Sequence, residues 1–380
     1  MDYPNGILVG RAHVPGHAHP RIVTVRGEEL FDITAPGMAT VRDIAESGRA
    51  ADHVRTAPGV SLGKAKAVLA NSVAAATDAK LPSLLSPIDL QAIKASGVTF
   101  VVSLLERVIE EQARGDNSRA DALRTEILDL IGMDLSELVP GSEAAMKVKA
   151  ALIEKGVWSQ YLEVGIGPDA EIFTKGQPMS SVGYGAEVGL HPASSWNNPE
   201  PEVALLVTST GAIIGATLGN DVNLRDVEGR SALLLGKAKD NNASASLGPF
   251  VRLFDGTFTL ETIKNSEIAL RVEGEDGFVL EGHSSMNQIS RTPESLVAAT
   301  LGTHHQYPDG LVLYLGTMFA PVKDRDGAGK GFTHKLGDVV SISTESLGTL
   351  SNRVNLSTKC PPWTYGSSHL LRDLAKADLL

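Results

Sequence analysis

A change of patterning near residue 165 constrains this chain more than any other feature. Before it, apolar residues recur at helix spacing; after it, glycine is frequent and short apolar runs alternate with turns. In the first part, residues 98–114 carry Val101, Leu104, Leu105, Val108 and Ile109 at helix intervals. Ser118-Arg-Ala-Asp121 has the form of a capping box, followed by a face of Leu123, Ile127, Leu130 and Ile131. A further helix is expected over 142–155, opened by Pro140-Gly141 and closed by Gly156. Residues 63–78 are rich in Ala, Lys and Val, and 22–25 reads as a short strand. In the second part, 203–207, 212–218, 278–280, 311–315 and 339–342 read as strands. Thr208-Ser-Thr-Gly211 forms a hairpin loop between the first two, and 293–300 reads as a helix. The fold expected is α+β. A mostly helical N-terminal region spans 1–165 and a β-rich catalytic domain spans 166–380.

Composition narrows the function. Lys plus Arg number 34 and Asp plus Glu 45, a formal charge of −11. No basic stretch is present to neutralise phosphates, so nucleic acid is not an expected partner. No apolar run approaches the ~18 residues of a membrane span. The start, Met1-Asp-Tyr-Pro-Asn-Gly6, lacks the basic and apolar regions of a signal peptide. Cys360 is the single cysteine, which excludes an internal disulfide and fits a reducing compartment. The expectation is a cytoplasmic enzyme.

The segment 197–207 carries the chemistry. Glu200 and Glu202 sit two apart at the start of a strand, and extended backbone puts such residues on one face. Two carboxylates there repel unless a cation or a shared proton compensates. A solvated strand end is the competing reading. Pro201 between them cannot donate to a ladder, which suggests an edge or a bulge. Asp221 lies at the far end of the returning strand, where an antiparallel partner would bring it beside the pair. Three carboxylates with no His or Cys form a hard, oxygen-only site suited to Mg²⁺ or Mn²⁺. Lys237 and Lys239 follow on a small-residue loop, either as surface lysines or as counter-charge to the acids.

These residues resemble the fumarylacetoacetate hydrolase superfamily. The resemblance rests on Glu200-x-Glu202, the run Asn220-Asp-Val-Asn-Leu-Arg-Asp226, and Lys239 before Ser246-Leu-Gly-Pro249. Glu171-Ile-Phe-Thr-Lys175 is similar to the family's Phe-x-Lys strand, and Gly316-Thr317 to its Gly-Thr turn. The runs beginning at Gly337 and Gly348 resemble its closing hairpin. The resemblance implies a mixed β-roll with a divalent metal, Mg²⁺ or alternatively Mn²⁺, on Glu200, Glu202 and Asp221. It implies 2-oxo acid substrates, and it maps Lys239 to a metal-adjacent lysine. Relatives commonly dimerise, so a homodimer or homotetramer is expected.

Within the superfamily, the run 84–100, ending Gly97-Val-Thr-Phe100, resembles the sugar-acid dehydratase branch. That branch acts on 2-keto-3-deoxy-pentonates, the D-xylonate and D-arabinonate derivatives, and yields 2,5-dioxopentanoate. Glu171 then maps to an acid–base residue, with Lys239 holding the substrate carboxylate or enolate. Ser103, Arg107, Lys175 and Thr317 are carried over as substrate-binding positions. Glu228 stands where many relatives carry Gln. The alternative is a metal-dependent hydrolase that cleaves a C–C bond of a 2,4-dioxo acid. Such hydrolases use a His–Glu pair upstream of the metal motif, and none of His13, His17, His19, His53 and His191 has that context. A third possibility is a silent sugar-acid sensor, which would have no need of a Lewis acid.

Overall fold

The computed structural model describes residues 2–74, 77–114, 116, 119, 138–154, 156, 158–319, 321–327 and 330–380. The expected cap at Ser118–Asp121 and the face of Leu123, Ile127, Leu130 and Ile131 lie outside the described residues.

Two mixed sheets organise the chain. The eleven-stranded sheet runs β4 (Val60–Lys64), β3 (Glu29–Asp32), β2 (Arg21–Arg26), β1 (Leu8–His13), β11 (Ala245–Leu253), β10 (Ile213–Asp221), β9 (Pro201–Val207), β14 (Leu311–Tyr314), β6 (Ala92–Gly97) and β7 (Glu171–Gly176), with β5 (Ser83–Leu85) paired to β1. The five-stranded sheet runs β13 (Val279–Ser285), β12 (Glu267–Glu273), β15 (Val339–Thr344), β16 (Gly348–Leu356) and β8 (Glu187–Leu190). Among the described strands, only β14 with β6 and β16 with β8 pair in parallel.

The pattern of β9 explains where the core lies. Val203, Leu205 and Val207 face the second sheet and pack with Ile268, Leu270, Val272, Val340 and Ile342. Ala204 and Leu206 face the other way, into a layer containing Val9, Ile22 and Ile33. Val41 and Ile44 of the helix Val41–Glu46 close that layer. A strand buried on both faces reads as a continuous apolar run, which is why Val203–Val207 lacks polar alternation. Strand β12 has one face out, so Ile268, Leu270 and Val272 alternate with the exposed Glu267, Ala269 and Glu273. Each fully buried Val or Leu contributes about 1.5–3 kcal/mol. The acidic pair therefore stands at the start of a strand buried along its whole length.

The N-terminal region differs from the helical expectation. Residues 98–114 and 142–155 do form helices, Val101–Gln112 and Glu143–Glu154. Leu104, Val108 and Ile109 pack with Ala145, Leu152, Leu162 and Ile166 in a satellite core. The first hundred residues, however, also supply β1 to β6. Strand β1 is buried along most of its length and shows no alternation to read. Strand β6, Ala-Ile-Lys-Ala-Ser-Gly, has weak strand propensity and is imposed by β14 on one side and β7 on the other. Pairing of β1 with β11 and of β6 with β7 carries the larger sheet across residue 165. No described helix is long and apolar enough to cross a membrane.

Candidate active site

Glu200 directly precedes β9 and Glu202 is its second residue, so the two point to one side. Strand β10 returns antiparallel with Asn220 opposite Pro201 and Gly219 opposite Glu202. The Asp221 N–H donates to the Glu200 carbonyl at 3.1 Å. One carboxylate oxygen each from Glu200, Glu202 and Asp221 lies within 4.8 Å of the others, and all three residues are buried. The solvated strand end is thereby set aside. The reading of Pro201 needs correction too. Strand β9 is central, between β10 and β14, and Pro201 occupies its first position, where a missing donor is tolerated.

Four buried cations surround the acids. Lys239 Nζ bonds Glu200 Oε2 and lies 3.2 Å from Asp221 Oδ2. Lys175 Nζ lies 2.8 Å from Asp221 Oδ1 and also donates to the carbonyls of Val222 and Lys239. Arg107 bonds Glu200 Oε1 through one nitrogen and meets Glu110 at 2.5 Å and Glu228 at 3.3 Å through the other. Arg225 lies 3.2 Å from Glu110 and donates to Asn198 Oδ1 at 2.9 Å. With Glu171 counted, the acids still outnumber these cations.

The protonation directions follow. Burial, then Asp221 and Glu200, push Glu202 well above the usual carboxylate range; the charge of Lys239 and the Gly316 N–H, which donates to Glu202 at 2.7 Å, offset them only in part. Burial also raises Glu200, against Lys239 and Arg107. Asp221 moves down, because Lys175 and Lys239 outweigh its burial. Burial alone would lower Lys239, but in the metal-free protein Asp221, Glu200 and Glu228 outweigh it and hold Lys239 in its charged form. A divalent cation fits the triad: all three donors are hard oxygens, and it would relieve the repulsion that raises Glu202.

Strand β7 supplies the opposite wall. Glu171 and Phe173 are alternate residues and share a face. Glu171 and Phe173 line the cleft, and Lys239 sits over the Phe173 ring at 5.6 Å. The ladder with β6 skips Lys175, a bulge of the kind found beside functional sites. Glu171 is pushed up to about 7 by burial and by Glu228, so it exchanges a proton near neutrality. Gly97 pairs with Glu171 across the ladder, and a Cβ there would collide with the Glu171 carboxyl. Val98, next in the chain, has φ 56°, a costly conformation for a β-branched residue, and it too lines the cleft.

The structure brings Glu171, Glu200, Glu202, Asp221, Lys239, Arg107 and Thr317 to one cleft. It places Ser103 and Lys175 outside the lining. The Ser103 hydroxyl turns back to the Phe100 carbonyl at 2.8 Å, as helix hydroxyls do. Lys175 lies behind Asp221 with its ammonium fully engaged. Sequence reasoning missed Glu110; its signal was the i, i+3 spacing from Arg107. A larger cavity of about 520 Å³ lies under Trp363, but its buried Arg11 is already engaged by the Ile88 carbonyl and Asp89.

Fold and site together define a class. The model of the fumarylacetoacetate (FAA) hydrolase C-terminal family matches residues 141–355, and the protein belongs to this family. The mixed β-roll expected from the resemblance is the fold of the chain. Among particular relatives, the chain is 26% identical over 338 residues to a Haloferax volcanii protein named "Probable 2-keto-3-deoxyxylonate dehydratase", covering 88% of this chain and 95% of that protein. It is 31% identical over 192 residues to the 2-dehydro-3-deoxy-D-arabinonate dehydratase of Saccharolobus solfataricus, covering 50% of this chain and 60% of that protein. A solved 2-keto-3-deoxy-D-arabinonate dehydratase complexed with magnesium and 2,5-dioxopentanoate has the same fold, with TM-score 0.63 at 21% identity over 92% of this chain and 99% of that one.

Proposed function

We propose that the protein is a Mg²⁺-dependent hydro-lyase that converts a 2-keto-3-deoxy-pentonate to 2,5-dioxopentanoate and water, with Mn²⁺ as an alternative cation. The observation that carries this reading is the Glu171 carboxyl on the wall of the cleft, facing a buried triad of carboxylates flanked by buried cations. Similarity along nearly the whole chain to a protein named as a dehydratase supports it.

When bound by Glu200, Glu202 and Asp221, the cation supplies Lewis acidity to the substrate ketone and acidifies the neighbouring methylene. The protein's residues do the rest. Lys239 and Arg107 hold the substrate carboxylate and its developing oxyanion. Glu171 takes a proton from the methylene and returns it as the hydroxyl on the next carbon departs as water. The terminal carbinol carbon then gives up a proton, the carbon beside the ketone takes one back, and the resulting enol tautomerises to the aldehyde. Thr317 contributes a hydroxyl to the cleft wall, oriented by the Phe319 carbonyl at 3.1 Å. Among the described residues the lining includes Glu171 but no histidine, which favours proton shuttling over activation of water by a His–Glu pair.

The test is product identity. The Mg²⁺-loaded protein incubated with 2-keto-3-deoxy-pentonates should yield a product lighter by one water, with the carbon chain intact. Pyruvate and an acid released from a 2,4-dioxo acid, with no dehydration, would replace this reading by C–C hydrolysis.

The reading includes a cytoplasmic homodimer or homotetramer that binds neither nucleic acid nor membrane. The acidic balance, the lone buried Cys360 and the exposed edge strand β4, where Val60 is 70% exposed, support it. Sedimentation at micromolar concentration should show a dimer or tetramer; a monomer would contradict it.

A further inference from the structure

Glu110 has no place in the chemistry described above, yet it is 1% exposed and sits between two buried guanidiniums. It lies one turn beyond Arg107 on the helix Val101–Gln112. Its Oε2 accepts from Arg107 at 2.5 Å. Its Oε1 lies 3.2 Å from Arg225 Nε, whose hydrogen goes to Asn198. Arg225 is anchored on its far side by the Pro321 carbonyl at 3.1 Å and lies against the Trp196 ring at 5.6 Å. Arg225 is therefore fixed, and Glu110 transmits that fixity to Arg107. The other nitrogen of Arg107 reaches Glu200, a member of the acidic triad.

A buried carboxylate is costly unless paired, so one held between two arginines has a role in placing them. We infer that Glu110 is a positioning residue: it holds Arg107 from behind, so that the guanidinium offers one edge to the cleft and to the carboxylate of a bound 2-oxo acid. Without it, Arg107 would be left to Glu200 and Glu228 alone. It would then fold onto the two acids and be withdrawn from the substrate. The inference rests on the reading of Arg107 as a carboxylate ligand, made under the proposed function.

The test uses pyruvate, a short 2-oxo acid with no hydroxyl to eliminate, so its binding is independent of whether the enzyme dehydrates. Calorimetry on the Mg²⁺-loaded full chain should show pyruvate affinity about tenfold or more weaker in Glu110→Gln, the usual range for residues that orient a ligand. In an Arg107→Met background the same change should add less than about twofold, because Glu110 acts only through Arg107. A residue that merely supported the fold would weaken binding in both backgrounds. Unchanged affinity in Glu110→Gln, equal losses in both backgrounds, or no pyruvate binding by the wild type would overturn the inference. If Glu110→Gln does not fold, Glu110→Asp decides on the same terms, since it keeps the charge but withdraws it by one methylene. Failure of the dehydration assay with these binding results intact would count against the proposed reaction alone.

Discussion

Glu202→Gln and Asp221→Asn should both abolish metal-dependent turnover while moving stability in opposite directions. Loss of a Lewis acid costs several kcal/mol of barrier, so kcat should fall by about a thousandfold or more. Chelation of the wild type should do the same, with Mg²⁺ or Mn²⁺ restoring activity. The stability effects separate the two acids. Burial and its acidic neighbours already raise Glu202, and no described cation pairs with it directly. A neutral glutamine there removes repulsion and keeps an oxygen for the Gly316 N–H. Metal-free Glu202→Gln should therefore melt at or above the wild type. Asp221 instead pairs with both Lys175 and Lys239. Its neutralisation leaves buried cations short of a partner and should cost about 3–5 kcal/mol. Calorimetric melts of the two metal-free variants decide the matter; equal shifts would contradict the assigned pairing.

The sign of the pH effect follows from the same groups. A carboxyl raised in the folded state binds more protons there than in the unfolded chain, so stability falls as pH rises. Glu202 and Glu171 are both raised. The metal-free protein should lose stability from the ordinary carboxylate range upward, through about 7 for Glu171. Saturating Mg²⁺ should suppress the part owed to Glu202.

Glu171→Gln should leave Mg²⁺ affinity nearly intact while kcat falls by about 10²–10⁴-fold, the range for a general acid–base group. In the wild type, kcat should rise as Glu171 loses its proton, with a midpoint at or below about 7, because a cation on the triad draws the value down. That limb should be absent from the variant. Gly97→Ala provides a test that leaves the charge in place: its methyl would occupy the space of the Glu171 carboxyl. It should lower kcat by a similar order without changing metal binding. Near-wild-type kcat in Glu171→Gln would reduce Glu171 to a buried ion partner and send the search for the base elsewhere.

The sequence by itself determined the parts of this protein that are local and periodic. Period-two spacing put Glu200 with Glu202 on one side of a strand. The loop at Thr208–Gly211, with Gly211 at φ 86°, turned the chain back and made Asp221 a partner of Glu200. The helix over 101–112 was legible from its apolar spacing, and that over 293–300 from Pro293 and Glu294 at its start. Only the tertiary structure decided the rest. It made strands of Leu8–His13 and Ala92–Gly97, because burial on both faces hides one and pairing with β14 and β7 imposes the other. It also set apart lysines that looked alike in sequence. Lys239, at the end of the helix Leu235–Lys239, faces the cleft, while Lys175, where the β6–β7 ladder bulges, pairs with Asp221 outside the cleft lining. The spacing of Glu110 from Arg107 is local, but its second partner, Arg225 at the start of the short helix Arg225–Glu228, is more than a hundred residues away, and charge pairing across such a separation leaves no mark in local spacing.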